Sequence, residues 1–184
     1  DEENYISFKP IDTYRLTIRE LEESDVEDYY YFASSKIVHK YLASAPLTSI
    51  DEALKTIRNT RNQYHDKLLY KLAIIRRMDN RLIGYIGLSK QDLSLTTCQV
   101  IYAIHQDYWG QGYVGEALVA FVEYLKTEGK QIIIAGHVEE NYNSGKVLLK
   151  SGFKRDPNRD SQMIIHGEVK NIISYLICER KEKK

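Results

Sequence analysis

The residues most able to do chemistry lie in a glycine-rich turn between a strand-like segment and a helix. Gly110, Gly112 and Gly115 follow the apolar residues around Tyr102 and overlap an amphipathic pattern that begins at Val114. Glycine lets the backbone turn tightly, and the first turn of a helix exposes N–H groups whose dipoles favour negative charge. This arrangement predicts a cradle for phosphate.

The spacing of these glycines also matches G-x-G-x-x-G, the fingerprint of dinucleotide-binding proteins. In those proteins the turn follows its strand directly and opens a series of βαβ units, with an acidic residue about 20 positions further on. Here residues 105–109 separate the strand from the turn, and the chain ends too soon after Glu139 and Glu140 for a second nucleotide-binding half. A P-loop does not fit either, because no Gly-Lys-Ser/Thr closes a suitably spaced turn. The context therefore argues against a nicotinamide cofactor.

The turn and a later segment together resemble the motifs of the GNAT acetyltransferases, in particular the RimJ/RimL branch of ribosomal-protein N-acetyltransferases. The first motif is Tyr108-Trp-Gly-Gln-Gly-Tyr-Val-Gly-Glu-Ala117. The second is Glu140-Asn-Tyr-Asn-Ser-Gly-Lys-Val-Leu-Leu-Lys-Ser-Gly-Phe153, which contains an Asn-x-x-Ser segment and a closing Lys-x-Gly-Phe. Two motifs at the right separation are far more specific than either alone. The resemblance extends more loosely from Arg15 to about Glu179.

This resemblance implies an α/β (α+β) GNAT fold, with a mixed, mostly antiparallel sheet of about six or seven strands and about four flanking helices. It also implies splayed central strands and acetyl-CoA as the acetyl donor. The pantetheine of the coenzyme would lie between the splayed strands, against the main chain of Tyr102 and Ile104. The pyrophosphate would be bound by the turn, which adds Gly110, Gln111, Gly112, Tyr113, Val114 and Gly115 to the implied cofactor-binding residues.

The second motif supplies two polar residues whose roles also come from the resemblance. Asn141 would help to hold the coenzyme, and Ser144 would be catalytic, because its hydroxyl can donate a proton to the departing thiolate. A structural explanation is open as well, since both residues could simply cap the following helix. Leu148 stands where many GNAT enzymes have a tyrosine acid, and Trp109 stands where the motif has arginine or glutamine.

The general base is left open by the sequence. Gln99 stands where the Rim-type branch often has a glutamate. His105, His137 and Glu139 flank the predicted gap between the strands and could act directly or through water, although a satisfied polar group at a strand end is the simpler explanation of each. The five histidines are dispersed without paired spacing, so we expect no metal site.

The acceptor is expected to be a primary amine, possibly a protein amino terminus. With reference pKa values near 8 and 10.4, freeing an α-amine at pH 7 costs about 1.4 kcal/mol and freeing a lysine about 4.6 kcal/mol. A site without a strong carboxylate base therefore favours an α-amine. One alternative acceptor is a small amine such as a polyamine, an antibiotic or a metabolite. An alternative of another class is a non-catalytic acyl-CoA-binding module.

Composition limits the remaining possibilities. The chain has 184 residues, 26 basic and 26 acidic, which predicts a single domain with no general attraction to nucleic acid or membrane. Residues 1–14 and 180–184 are expected to be peripheral tails. Cys98 and Cys178 lack metal spacing and are expected to pack as small apolar residues in a cytoplasmic protein. The oligomeric state cannot be read from the sequence.

Periodicity and capping patterns predict the elements that position these motifs. Ser24-Asp-Val-Glu27 and Ser49-Ile-Asp-Glu52 read as capping boxes at two helix starts. Gly84 and Gly87 predict a bulge or the close approach of another backbone within a strand. Strands are predicted at 15–21, 68–75, 82–88, 98–104, 131–138 and 172–178, a polar loop at about 91–96, and no assignment is made for 156–169.

Overall fold

The computed structural model describes residues 7–90 and 94–179. The polar loop expected at 91–96 lies partly outside the described residues, and the charged run at 180–184 lies wholly outside them. The described chain forms a nine-stranded sheet with helices on both faces. None of these helices, within the residues described, is long and apolar enough to cross a membrane.

The strands are β1 (Ile11–Asp12), β2 (Leu16–Glu20), β3 (Leu72–Arg76), β4 (Arg81–Leu88), β5 (Thr97–Ile104), β6 (Ile132–Val138), β7 (Lys154–Arg155), β8 (Ser161–Ile165) and β9 (Glu168–Cys178). The α-helices are α1 (Val26–Ala33), α2 (Lys36–His39), α3 (Ile50–His65), α4 (Tyr113–Thr127) and α5 (Tyr142–Lys150). The sheet order is β1-β2-β3-β4-β5-β6-β9-β7, and β8 also pairs with β9. All neighbours are antiparallel except β5 and β6, which confirms the predicted mixed, mostly antiparallel sheet.

The two faces of the sheet bury separate apolar clusters. α4 and α5 cover one face, which we call the α4/α5 face, through Leu118, Phe121 and Leu148. α1 and α3 cover the other, the α1/α3 face, through residues such as Phe32 and Ile57. Because side chains alternate along a strand, β5 contributes to both clusters. The predicted apolar stripe of the helix after the glycine turn is confirmed.

One of the two predicted helix starts is placed correctly, although the Glu52 carboxylate accepts from the Thr48 N–H and does not close a box with Ser49. Ser49 caps α3 by accepting a hydrogen bond from the Glu52 N–H at 3.2 Å. The box predicted at 24–27 is wrong, because a short 3₁₀ helix over 23–25 precedes α1. The capping box there joins Glu22 and Asp25. The helical turn therefore begins before Ser24.

Two parts of the chain are more ordered than the sequence indicates. Phe8, in the segment expected to be a peripheral tail, is buried and packs edge-on against Tyr124 with ring centroids 5.0 Å apart. The unassigned segment 156–169 forms β8 and the turn of a hairpin with β9, in which His166 and Gly167 have positive φ. Four of the five β8 residues are exposed, so the sequence of this strand has no strong alternation of apolar and polar residues from which it could be predicted.

Both glycines of β4 are required by close backbone contacts, as expected. A Cβ at Gly84 would lie 2.1 Å from the Ala103 carbonyl oxygen, and one at Gly87 would lie 2.3 Å from the Tyr70 carbonyl oxygen. The pairing of β3 with β4 also shifts register next to Gly84, which is the predicted bulge.

Gly145 allows α5 to pack closely against β6 and β9. A Cβ at this position would lie 2.7 Å from the Tyr175 hydroxyl and 2.8 Å from Nε2 of His137. These two groups are themselves hydrogen-bonded at 3.0 Å, so neither moves without breaking that bond. The position of α5, and of Ser144 on it, therefore depends on having a glycine at position 145.

We predict that Gly145→Ala lowers the free energy of unfolding by about 1–3 kcal/mol, because overpacking outweighs the gain in helix propensity. Urea unfolding measures the change. Gly115→Ala in α4 is the matched control, since its Cβ would meet nothing closer than 3.8 Å. It is expected to stabilise the protein by up to about 1 kcal/mol. Equal stability of the two variants would contradict this view of the α5 contact.

Candidate active site

The strands β5 and β6 pair only at the start of their parallel run. Thr97, Cys98 and Gln99 lie opposite Ile132, Ile133 and Ile134. β5 then continues to Ile104 and β6 to Val138 without further pairing, so a gap opens between them. This confirms the predicted splayed central strands.

The hydrogen-bond pattern of β5 determines which of its main-chain groups point into the gap. The Ser89 N–H donates to the Gln99 carbonyl, and the His105 N–H donates to the Ile83 carbonyl, each at 2.8 Å. Along an antiparallel strand, main-chain groups alternate between its two edges. The odd-numbered residues therefore bond to β4, and Tyr102 and Ile104 point their main-chain groups toward the gap.

Trp109 closes one end of this gap. Its indole Nε1–H donates to the Ile104 carbonyl at 3.0 Å, and its side chain is half exposed. The Ile104 carbonyl is thus already satisfied. The groups left to bind a ligand at this end are the Ile104 N–H and both main-chain groups of Tyr102.

The glycine turn has the conformation of an anion cradle. Gly110 and Gly112 have φ values of 74° and 81°, and Gly112 is the N-cap of α4. Residues with side chains rarely adopt this left-handed conformation. Gly115, in contrast, is an ordinary helical residue in the first turn of α4. Its role in tightening the turn was predicted wrongly.

The first turn of α4 presents main-chain donors that the described protein does not use. Within residues 7–90 and 94–179, the N–H groups of Gly112, Tyr113, Val114 and Gly115 have no acceptor. The side chains of Tyr113 and Val114 pack against the core, and Gln111 is exposed with its amide donating to the Asp107 carbonyl at 3.3 Å. The turn therefore offers backbone N–H groups, rather than side chains, to an anion.

Arg15 and Glu116 anchor this turn to the amino-terminal part of the sheet. The Arg15 guanidinium donates to Glu116 at 2.8 Å and to the Gln111 carbonyl at 2.8 Å, and it stacks over the Tyr113 ring at 4.2 Å. Burial disfavours the charged Glu116, but hydrogen bonds from Thr13 and Arg15 outweigh it and lower the pKa of this carboxyl. The carboxylate is ionised at neutral pH and keeps the turn fixed.

A pair of hydroxyl groups lies beside the gap on the α4/α5 face. The Tyr102 hydroxyl and Oγ of Ser144 are 2.7 Å apart, so Ser144 faces β5. Burial raises the pKa of Tyr102 to about 12, although its hydrogen bond with Ser144 acts in the opposite sense. Tyr102 is therefore a neutral proton donor at neutral pH.

The alternative that Asn141 and Ser144 merely cap α5 does not match the geometry. Asn141 occupies the N-cap position, but its side chain makes no capping hydrogen bond. The hydroxyl of Ser144 is engaged with Tyr102, which lies on a different element. Neither side chain therefore serves as a cap of α5, and Ser144 is directed to Tyr102 beside the gap.

The three candidate bases are all engaged with protein groups. His105 is buried, accepts the Asp107 N–H at 3.1 Å, and has a pKa lowered by burial despite the nearby Asp107 carboxylate. His137 is bonded to the Tyr175 hydroxyl. Glu139 accepts from the Asn171 amide at 2.9 Å. These contacts agree with satisfied polar groups at strand ends.

The remaining candidate positions contribute little to this site. Leu148, at the position of the tyrosine acid of many GNAT enzymes, is a fully buried apolar side chain. Burial raises the pKa of the Cys98 thiol to about 11, which makes this cysteine a poor nucleophile. Cys178 is exposed rather than packed, contrary to expectation. Among residues 7–90 and 94–179 no cluster of His, Cys, Asp or Glu has a geometry that could hold a metal ion.

These features fit coenzyme A in three separate respects. The unused N–H groups at the start of α4 suit a pyrophosphate, and the exposed main-chain edge of β5 suits the amide groups of pantetheine. The hydroxyl pair lies where β5 and α5 meet. The sequence motifs had indicated the turn and Ser144, but not the side chain of Tyr102 or the indole of Trp109, because neither contact leaves a local pattern.

Comparison with known proteins agrees with this geometry. Residues 15–154 match the model of an acetyltransferase (GNAT) domain. The chain is 26% identical to the uncharacterised N-acetyltransferase YoaA of Bacillus subtilis over 176 residues, which cover 95% of this chain and 99% of YoaA. It is 30% identical to the alanine N-acetyltransferase of ribosomal protein uS5 from Escherichia coli over 76 residues, covering 41% of this chain and 39% of that protein.

The fold is also that of solved acetyltransferases. The structure of a ribosomal-protein-S5-alanine acetyltransferase from Vibrio fischeri superimposes with a TM-score of 0.80 at 14% identity, covering 96% of this chain and 100% of that one. The match to the family model spans most of the chain and includes the glycine turn, both diverging strands and Ser144. The chain belongs to the GNAT family and is an acetyl-CoA-dependent N-acetyltransferase.

Proposed function

We propose that this enzyme acetylates the α-amine of a protein amino terminus, by direct attack of the amine on acetyl-CoA in a ternary complex. The observation that carries the proposal is the Tyr102–Ser144 hydroxyl pair beside the unpaired edge of β5. It supplies a proton donor next to the place where a thioester would lie. The gap lacks a cysteine nucleophile, so a covalent acyl-enzyme is not needed.

The coenzyme is held mainly by main-chain groups in this proposal. The N–H groups over residues 110–115 bind the pyrophosphate, and Tyr102 and Ile104 bind pantetheine through β5. Asn141 adds a side-chain contact at the start of α5. Since these donors are fixed by secondary structure, they need little reorganisation on binding. Val114 and Trp109, which depart from the family motif, leave the backbone donors intact.

The chemistry requires one proton to leave the amine and one to reach sulfur. The neutral amine attacks the thioester carbonyl carbon, the carbon–sulfur bond breaks, and the nitrogen gives its proton to water. Ser144 donates its hydroxyl proton to the departing thiolate, and Tyr102 replaces it through the 2.7 Å hydrogen bond. Water then returns to the Tyr102 oxygen the proton that the nitrogen gave up, which restores both hydroxyls. The two hydroxyls thus form a short relay.

The preference for an α-amine rests on the hydrogen bonds that the three candidate bases already make. His105, His137 and Glu139 are occupied by protein hydrogen bonds. Such a site is suited to an amine whose pKa is near 8, because such an amine is more often neutral at pH 7. The names of the Escherichia coli and Vibrio fischeri proteins, both alanine acetyltransferases of a ribosomal protein, support the same class of acceptor.

The test is an acceptor panel with acetyl-CoA, read by release of free CoA and by mass spectrometry. The panel contains peptides with a free α-amine, the same peptides with a blocked amino terminus and a free lysine, and small amines. We expect acetylation at the α-amine. Modification confined to lysine side chains or to small amines without a peptide bond would refute the proposal.

Removing either hydroxyl is predicted to slow the chemical step. Ser144→Ala should lower kcat by about 100-fold, the low end for loss of a general acid. Tyr102→Phe should lower kcat by a smaller factor, and the double variant should be little worse than Ser144→Ala, because the two groups act as a unit. Steady-state kinetics on the preferred peptide measures these effects.

The control for this prediction is Tyr142→Phe, which removes an exposed hydroxyl from the same helix. It should leave kcat unchanged. Full activity of both Ser144→Ala and Tyr102→Phe would exclude the relay.

Coenzyme binding is predicted to depend on the conformation of Gly112. Gly112→Ala should weaken CoA binding by about 10-fold, because relief of the strain at φ 81° turns the N–H groups away from the ligand. Isothermal titration calorimetry with CoA measures this loss.

Gly129→Ala provides a matched control at the opposite end of α4. Gly129 has a similar φ of 88° and open space around it, so its substitution introduces comparable strain away from the turn. It should leave the affinity for CoA unchanged. Equal losses of CoA affinity in the two variants would mean that the effect is general destabilisation.

A further inference from the structure

The acceptor amine has one open approach to the gap. Tyr102 and Ser144 lie on the α4/α5 face, where the first cluster and α5 fill the space. Ile101 and Ala103 of β5 face the opposite side, toward α1 and α3. An acceptor that approaches a thioester in the gap therefore passes over the α1/α3 face.

A group of tyrosines and lysines lies on this same face, and we call it the tyrosine–lysine cluster. It consists of Tyr29, Tyr70, Lys71, Tyr85 and Lys90. Nζ of Lys71 lies 5.1 Å from the ring centroid of Tyr70 and 5.0 Å from that of Tyr85, and Nζ of Lys90 lies 4.7 Å from that of Tyr70.

Strand register relates the cluster to the gap. Tyr85 is the partner of Ala103 across β4 and β5, and β5 is the strand that borders the gap. Adjacent strands are about 4.8 Å apart, so the Tyr85 backbone lies about 4.8 Å from β5, whose other edge borders the gap. An acceptor of a few bonds can span from the gap to this cluster.

The ammonium of Lys71 has no counterion among the described residues. It makes no salt bridge or side-chain hydrogen bond within residues 7–90 and 94–179, and the nearby charge that influences it is Lys90, also a cation. The pKa of His39 is lowered by burial and also by the charges of Lys71 and His166. These neighbours of Lys71 therefore supply no negative charge. Burial lowers the pKa of Lys71 to about 8, which leaves it mainly protonated at pH 7.

The phenol groups around Lys71 are free to bind a ligand. The hydroxyls of Tyr29 and Tyr85 make no hydrogen bond in the described part of the chain, and their oxygens are not fully enclosed although most of each side chain is buried. Burial raises the pKa of both groups, so they remain neutral donors. The Lys71 side chain is half-buried and has no acidic partner among these residues, so an anion supplied by a ligand would pair with its ammonium and accept hydrogen bonds from the neighbouring phenols.

We propose that the tyrosine–lysine cluster binds an anionic group, a carboxylate or a phosphate, of the amine acceptor. The inference rests on the proposed function for the existence of the acceptor, but names its class. The anion can be an acidic side chain near a peptide amino terminus, or the acidic end of a small amino acid or aminophosphate. In either source Lys71 pairs with the anion while the amine reaches the gap.

The first experiment compares peptides that differ only in charge. The probes are Ala-Glu-Ala amide, Ala-Gln-Ala amide and Ala-Lys-Ala amide, together with Ala-Ala-Glu amide to vary the reach. We expect the wild-type enzyme to prefer a glutamate peptide over its glutamine counterpart by about 10-fold in kcat/KM, the effect of one hydrogen bond to a charged group. Paired small amines, 4-aminobutyrate with butylamine and phosphoethanolamine with ethylamine, identify the other source.

Variants assign the preference to the cluster. Lys71→Met keeps the length and removes the charge, so it should abolish the preference for the anionic member of each pair while leaving the neutral member unchanged. Lys71→Arg should retain the preference, and Tyr85→Phe should reduce it. Lys55→Met removes an exposed lysine of α3 on the same side of the sheet and is the matched control. Thermal unfolding should show that Lys71→Met is folded and about as stable as the wild type, because a half-buried charge without an acidic partner is replaced by an apolar side chain of similar length.

The outcomes separate this inference from the proposed function. Acetylation without any preference for anionic acceptors, or an equal loss on charged and neutral acceptors in Lys71→Met, would overturn the inference alone. If no α-amine is acetylated, the proposed function fails. Calorimetry of the same peptides with the CoA-loaded enzyme then still decides the inference. The inference requires that Lys71→Met binds the glutamate peptide more weakly than the wild type does, and that the two enzymes bind the glutamine peptide equally well.

Discussion

The early end of the β5–β6 ladder is the constraint on which the site depends. Three residues of each strand pair, and then β5 runs on with one edge bare. Main-chain groups in a buried position need partners, so a strand edge opened in the middle of a sheet is a binding surface for an extended chain of amides. Trp109 satisfies the Ile104 carbonyl and leaves the other groups of this edge available. The gap thus has both a defined end and a defined pattern of donors and acceptors.

Several contacts hold the remainder of the site in register with that gap. Gly145 lets α5 approach β6 and β9 closely, and this approach brings Ser144 within hydrogen-bond distance of Tyr102. At the other end, Arg15 and Glu116 fix the glycine turn to β2, so that the first turn of α4 has a constant position relative to β5. The sheet, α5 and α4 are each rigid elements, which is the arrangement that holds catalytic groups most accurately.

The sequence predicted the parts of the molecule that have local patterns. The glycine turn, the apolar stripe of α4, the cap at Ser49 and the two glycines of β4 depend on spacing within one segment, and the structure has all of them. The predicted start of α1 was wrong because the capping box is formed by Glu22 and Asp25, two residues before the Ser24 and Glu27 pair that has the same spacing. β8 was not predicted because its residues are mostly exposed, and Phe8 because a single aromatic in a polar segment has no periodicity. The Tyr102–Ser144 pair and the tyrosine–lysine cluster join residues far apart in the chain, so only the fold brings them together.

Hydrogen–deuterium exchange resolved to single amides, with and without CoA, tests the central claim most directly. The claim is that CoA binds to the bare edge of β5 and to the first turn of α4. It predicts that CoA slows exchange at the amides of Tyr102 and Ile104 and at those of residues 112–115, and leaves the paired segment Thr97 to Gln99 unchanged. CoA binding without protection of the Tyr102 and Ile104 amides would contradict the account.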